Sequence, residues 1–532
     1  MTGTPFVDRT VFVDNLTAQH SAGSAGTPTA ARRPVAETFH GRVRGTVEGD
    51  VAVFRGIPFA APPVGDLRFA APQPPHTWEG VLDAEAFGPI PAQAEVPSSA
   101  VAPPPSPGDD GRGCLTANVW TTDLSGNRPV MVWIYGGGYL AGSSADPVYD
   151  GAVLAEEGGV VVVTFNYRVG AEGFGQIAGA PANRGLLDQV AALEWVRDNA
   201  AAFGGDPAQV TVFGQSAGGG GVAALLAMPR AAGLFRRVIA QSVPGIFVSP
   251  ELAADVMATI AAGVGVTATV EGLREISPAA LATAVDALDI REYADRWGAF
   301  AYGVTPFSPV VDGEVLPDTP WKALKNGASH DVELIVGHTR DEFRKMLAGR
   351  GLLGRVTEEM TEDALRALAP DGYRAAFPEK TPEQLYETLH SDWLFRMPSA
   401  NLARDHTGRS FLYEFVVEAP GFGGALGACH GADVALTFGN LTGPLVEKLL
   451  GPQPNAELTT LSAEMRAAWT AFARGEGPGW GEFDDAGTTW VIGADPIVRS
   501  YPEQLSANLW AGHDFPCLPL RTSAAGREGS TS

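Results

Sequence analysis

One stretch constrains this chain more than any other: Val210-Thr211-Val212-Phe213 running into Gly214-Gln215-Ser216-Ala217-Gly218. The first four residues read as a short strand of the kind buried inside a parallel sheet. The next five have the form G-x-S-x-G, and Gly219 to Met228 is a small-residue run compatible with a helix. Strand, G-x-S-x-G, helix predicts a nucleophile elbow, a strained turn that lifts a serine hydroxyl above the sheet. Gly214 and Gly218 carry no Cβ atoms to hold strand and helix apart. Ser216 is therefore the expected nucleophile.

A serine hydroxyl needs a base within hydrogen-bond reach, and that base needs a carboxylate to orient it. In a fold built around such an elbow both partners follow the serine, each on a loop after a strand. Of nine histidines, His20, His40 and His76 precede Ser216, and His513 sits near the end of the chain. His330 and His338 flank the apolar run Val332–Gly337, while His390 and His406 fall in or beside a helical block. His430 alone follows a late strand (Phe411–Val417) at a Gly-rich loop, Gly427-Ala428-Cys429-His430-Gly431, and is the expected base. Asp341 and Glu342 directly follow Val332–Gly337, and by sequence alone either could orient the histidine. A second apolar run, Pro129–Tyr135, delivers Gly136-Gly137-Gly138, where bare Cα atoms would let backbone N–H groups meet a reacting oxygen.

The segment from Phe203 to Gly218, F-G-G-x(4)-V-x-V-x-G-x-S-A-G, resembles the active-site signature of the type-B carboxylesterases, with Gln215 where many members carry Glu. Phe54–Phe69 and Asn183–Asn199 resemble the same family almost throughout. Gly111–Val119 has drifted from its second signature, and Cys114 lacks the upstream cysteine that pairs with it in many relatives. The resemblance implies an α/β-hydrolase fold with a large mixed, mostly parallel central sheet, flanking helices and helical insertions. It also implies a serine carboxylic ester hydrolase acting on neutral small to medium esters, with Ser216, Glu342 and His430 as the triad. Gly137, Gly138 and Ala217 become the expected oxyanion hole, and Gly303, Thr305 and Phe307 the expected substrate-binding residues. Amidase, carbamate hydrolase and acyltransferase chemistry use the same triad and stay open. A non-catalytic, cholinesterase-like binding protein would be expected to lose the serine or the histidine.

The 532 residues hold 61 acidic against 37 basic side chains, a formal charge of −24. That balance argues against nucleic acid or an anionic membrane as partner. Three cysteines and no C-x-x-C spacing predict neither a disulfide framework nor a metal site, and no metal or cofactor is expected. No signal-peptide pattern or membrane-length apolar run is visible, so the expected location is cytoplasmic, with a small-molecule ester as the partner. Residues 1–37 read as a flexible arm, 38–521 as the catalytic domain with helical insertions at about 250–300 and 361–405, and 522–532 as a flexible tail. Pro97–Gly113 reads as a Pro/Gly loop, and Pro309–Gly313 as a return to the sheet.

Overall fold

A computed structural model describes residues 33–94, 113–451 and 456–521. Its frame is an eleven-stranded sheet: β1 (Thr46–Glu48), β2 (Val51–Pro58), β3 (Thr116–Thr121), β4 (Arg128–Ile134), β5 (Val161–Phe165), β6 (Gly205–Gln215), β7 (Arg237–Gln241), β8 (Glu333–Thr339), β9 (Ser410–Phe415), β10 (Thr488–Ile492) and β11 (Ile497–Ser500). Across the sheet the order is β11-β10-β9-β8-β7-β6-β4-β5-β3-β2-β1. The run from β10 to β5 is parallel throughout, and antiparallel strands close both ends. Val130, Val132, Ile134, Val210 and Val212 are all buried, as central strands covered on both faces require. The mixed, mostly parallel sheet expected from the sequence is the one observed.

The strand order positions the site. β4 leads in the chain to β5 on one side, and β6 leads to β7 on the other. Where the connections part, a crevice opens outside the carboxyl ends of the strands, and ligands of open α/β sheets bind there. Ile134 of β4 pairs with Gly214 of β6, so the glycine loop and the elbow leave the sheet side by side. Gln215 pairs with Gln241 of β7, and Gln241 with Gly337 of β8, which brings the Asp341–Glu342 loop to the same edge.

Helices cover the sheet. α1 (Arg184–Asn199) continues into a tighter turn, Ala200–Phe203, and α2 (Ala217–Ala227) follows the elbow. Between β7 and β8 lie α3 (Pro250–Gly263) and α4 (Pro278–Asp286), each started by a serine, Ser249 or Ser277, whose side chain accepts a backbone N–H of the first turn. Between β8 and β9 lie α5 (Glu358–Leu368), α6 (Pro382–Ser391) and α7 (Met397–Asp405), the last two joined through a π-helical turn at Asp392–Arg396.

Two expectations change. Val35–Glu37, read as the end of a flexible arm, belong to a strand, Val35–Thr38, pairing antiparallel with Gly41–Arg44, because Ala36 and Val43 bury opposite each other. Residues 1–32, the tail 522–532 and most of the Pro/Gly loop lie outside the described residues. Pro309–Gly313 does not rejoin the sheet. Its backbone is satisfied elsewhere: Val310 exchanges two 2.8 Å bonds with the Asn183 side chain and bridges Val248.

Candidate active site

Ser216 sits between β6 and α2 at φ 58°, ψ −125°, a conformation costly for a residue with a Cβ. The surroundings hold it there. Its N–H donates to the Gln241 carbonyl (2.9 Å), and its carbonyl accepts from Gly220 (2.8 Å). A Cβ on Gly218 would lie 2.0 Å from the Ile134 oxygen, so only glycine lets helix and strand meet this closely. Opposite the elbow, Gly137 and Gly138 both have positive φ, 121° and 65°. The N–H groups of Gly137, Gly138 and Ala217 donate to no acceptor among the described residues, which leaves three donors beside the serine.

Asp341 and Glu342 part company in space. Asp341 accepts from the Ala428 N–H (2.8 Å), pairs with Arg340 and bridges the Cys429 backbone, so it fastens the histidine loop to the end of β8. Glu342 turns inward and is fully buried, accepting from the Thr339 N–H (2.8 Å) and from His430 Nδ1 (2.5 Å). Burial, the largest single influence, acts to raise the Glu342 carboxyl, but the neighbouring imidazole together with the other hydrogen bonds to the carboxylate outweighs it and holds the group below the ordinary range. With Nδ1–H committed to Glu342, His430 Nε2 is left as an acceptor. It lies 3.1 Å from the Gln215 side-chain nitrogen, whose amide therefore donates to it. The Ser216 hydroxyl has no hydrogen-bond partner among the described residues.

Two neighbours of His430 escaped the sequence reading. Gln215 is visible only as a departure from a motif. Phe395 packs its ring 4.3 Å from the imidazole, and it comes from the π-helical turn, a local irregularity often found at functional sites and carried by no motif.

A cavity of about 410 Å³ opens beside the glycine loop, lined by Gly137, Leu140, Val169, Leu281, Val285, Val304 and Pro306 among others. The Ser216 and His430 side chains do not line it; Gly137 joins it to them. Gly303, Thr305 and Phe307 do not line it either. Phe307 and Gly303 are buried against the interior. Thr305 faces the glycine loop, its Cβ 3.6 Å from where a Cβ of Gly138 would stand. Among the described residues no cluster of three or more His, Cys, Asp or Glu side chains could hold a metal ion.

A strained serine at the switch point of such a sheet, faced by free backbone donors, places the molecule among the α/β-hydrolases. Within that class the chain belongs to the carboxylesterase family, whose sequence model matches residues 32–490. It is 36% identical over 488 residues to the para-nitrobenzyl esterase of Bacillus subtilis (strain 168), covering 88% of this chain and 96% of that one. It is 34% identical over 525 residues to carboxylesterase 3 of Homo sapiens, covering 88% of each. Among solved structures, a PNB esterase superposes with a TM-score of 0.79 at 34% identity, covering 90% of this chain and 99% of that one. The carboxylesterase of Geobacillus stearothermophilus gives 0.78 at 33%, covering 90% and 100%. The protein is thus an enzyme of the carboxylic ester hydrolases.

Proposed function

We propose that this esterase works through an acyl-enzyme formed on Ser216, with His430 as general base and Glu342 as the group that orients it, on small to medium carboxylic esters. The observation that carries the reading is the His430–Glu342 pair. It fixes one ring nitrogen and leaves the other facing Gln215, the residue next to the serine. As substrate enters, Nε2 exchanges the Gln215 amide for the Ser216 hydroxyl; catalytic hydrogen bonds often tighten only in the substrate complex. Ser216 Oγ then attacks the ester carbonyl while Nε2 takes its proton, and buried Glu342 stabilises the imidazolium. The N–H groups of Gly137, Gly138 and Ala217 receive the developing oxyanion. His430 returns the proton to the departing alcohol. Water, deprotonated by the same nitrogen, cleaves the acyl-enzyme and regenerates Ser216.

The test is Ser216→Ala with short aryl esters, where turnover is expected to fall by about 10⁶-fold. An organophosphate should label Ser216 alone. Labelling of another serine, or near-normal turnover in the variant, rejects the mechanism. We also place the enzyme in a reducing compartment, the cytoplasm, because Cys114, Cys429 and Cys517 are all unpaired. Loss of activity in dithiothreitol would count against that placement.

A further inference from the structure

A second cavity, of about 520 Å³, adjoins the one beside the glycine loop. Asp286, Leu288, Val304 and Pro306 line both. The second cavity also presents two guanidinium groups, Arg291 and Arg350, with Tyr386. Among the described residues neither arginine forms an ion pair, in a chain whose carboxylates outnumber its cations 61 to 37. Arg291 lies 3.9 Å over the Tyr302 ring and reaches the Tyr386 hydroxyl only at 3.4 Å, and its Nη1 is buried without a hydrogen-bond partner. Arg350 donates one bond, to the Gly303 carbonyl at 2.9 Å. Asp286 and Asp289 line the same cavity, but among the described residues neither forms an ion pair with Arg291 or Arg350. Asp289 is exposed and accepts the Arg291 backbone N–H, and Asp286 is exposed at the shared wall.

Arg291 is half-buried with an unpartnered Nη1 and Arg350 is exposed with a single bond to a carbonyl, so both guanidinium groups keep donors free for an anion entering the cavity. Guanidinium forks match a planar carboxylate and bind it more strongly than a neutral group. The position links this cavity to the chemistry. Arg350 holds Gly303, the head of the segment whose Val304 and Pro306 form the shared wall and whose Thr305 faces Gly138. We propose that Arg291 and Arg350 form a subsite for a carboxylate carried by the ester substrate, so that the preferred substrates are half-esters with one free carboxylate remote from the scissile bond. The negative charge of the whole molecule acts on bulk approach, whereas these two arginines act on the bound group. The inference rests on the ester-hydrolase mechanism above.

The test compares 4-nitrophenyl half-esters of dicarboxylic acids of increasing chain length with the same compounds methyl-capped. A second arm places the carboxylate on the alcohol side, in acyl esters of hydroxybenzoic acid against those of its methyl ester. Each rate is divided by the hydroxide-catalysed rate of the same compound. In one arm the free acid should be favoured in kcat/KM by about tenfold to a hundredfold at the best length. Arg291→Gln and Arg350→Gln should bring the ratio towards one, with Arg350→Lys retaining part of it. A wild-type ratio at or below one in both arms overturns the subsite, as does an unchanged ratio in both folded variants. If thermal melts show the variants unfolded, the wild-type ratio decides, together with competitive inhibition of capped-ester hydrolysis by a free dicarboxylate. Failure to hydrolyse even the capped esters overturns the ester-hydrolase mechanism itself, whereas hydrolysis without preference overturns the subsite alone.

Discussion

Asp341 and Glu342 are adjacent carboxylates, and their surroundings separate them. Glu342 is sealed from water and meets His430 Nδ1, so its loss would free the imidazole to take the wrong tautomer. Glu342→Gln should therefore cost on the order of 10⁴-fold in turnover. Asp341 touches the Ala428 backbone and Arg340 rather than the imidazole. Asp341→Asn should lose less than about tenfold in turnover while lowering the melting temperature, because a half-buried loop contact loses its charged acceptor. Turnover and thermal melts of the two variants decide, and a crippled Asp341→Asn beside a near-normal Glu342→Gln would reverse the roles. The residues whose chemistry depends on local context, Ser216, His430 and the acidic pair, were legible in the sequence. Gln215 as a partner of His430, Phe395 against its ring and the Arg291–Arg350 pair were not, because each contact joins segments far apart in the chain.

Legibility at the scale of elements followed burial. β4 to β8 carry apolar runs with β-branched residues, and β9 an aromatic one, because both of their faces are covered, and such runs are readable. β10 is buried over only part of its length, and all four residues of β11 are exposed, so neither gives a run to find. Pro309–Gly313 shows the converse, an apolar stretch whose partner is an amide side chain. The helix α6 carries a testable electrostatic constraint in His390. Its Nδ1–H donates to the Tyr386 carbonyl at 2.8 Å, leaving Nε2 buried without a partner. Burial first, and then Arg291 and Arg350, push its pKa down from 6.5 to about 3. The unfolded chain therefore binds a proton at this side chain before the folded one does. Its contribution to stability is complete above pH 6.5 and declines as the pH falls towards about 3, by about 1.4 kcal/mol per pH unit within that window. His390→Gln removes the titration along with the ring packing. Denaturant titrations should show the variant weaker at neutral pH, with the gap to the parent narrowing as the pH is lowered. A gap independent of pH would mean that His390 is not held neutral.

At the scale of the whole molecule, two electrostatic effects compete, and salt can rank them. The first is a set of surface ion pairs, such as Arg197 with Asp198, Arg366 with Asp363 and Arg374 with Glu362. Exposed pairs of this kind each contribute about 0–1 kcal/mol, and added salt weakens them. The second is the surplus of negative charge, −24 over 532 residues, which repels itself within the compact state and is relieved on unfolding. At an ionic strength near 0.15 M the screening length is only about 8 Å, so repulsion among exposed charges is strong below that concentration and largely quenched above it. The pairs are scattered, local and partly offset by the entropy of fixing long side chains, whereas the surplus acts on every carboxylate at once. Repulsion should win. The melting temperature is expected to rise as sodium chloride is increased from low ionic strength to about 0.15 M, and to flatten beyond that. Sodium chloride is the appropriate salt because sulfate or phosphate would also strengthen apolar burial and obscure the sign. A melting temperature that falls over the same range would mean that the ion pairs dominate and that the net charge does not limit stability.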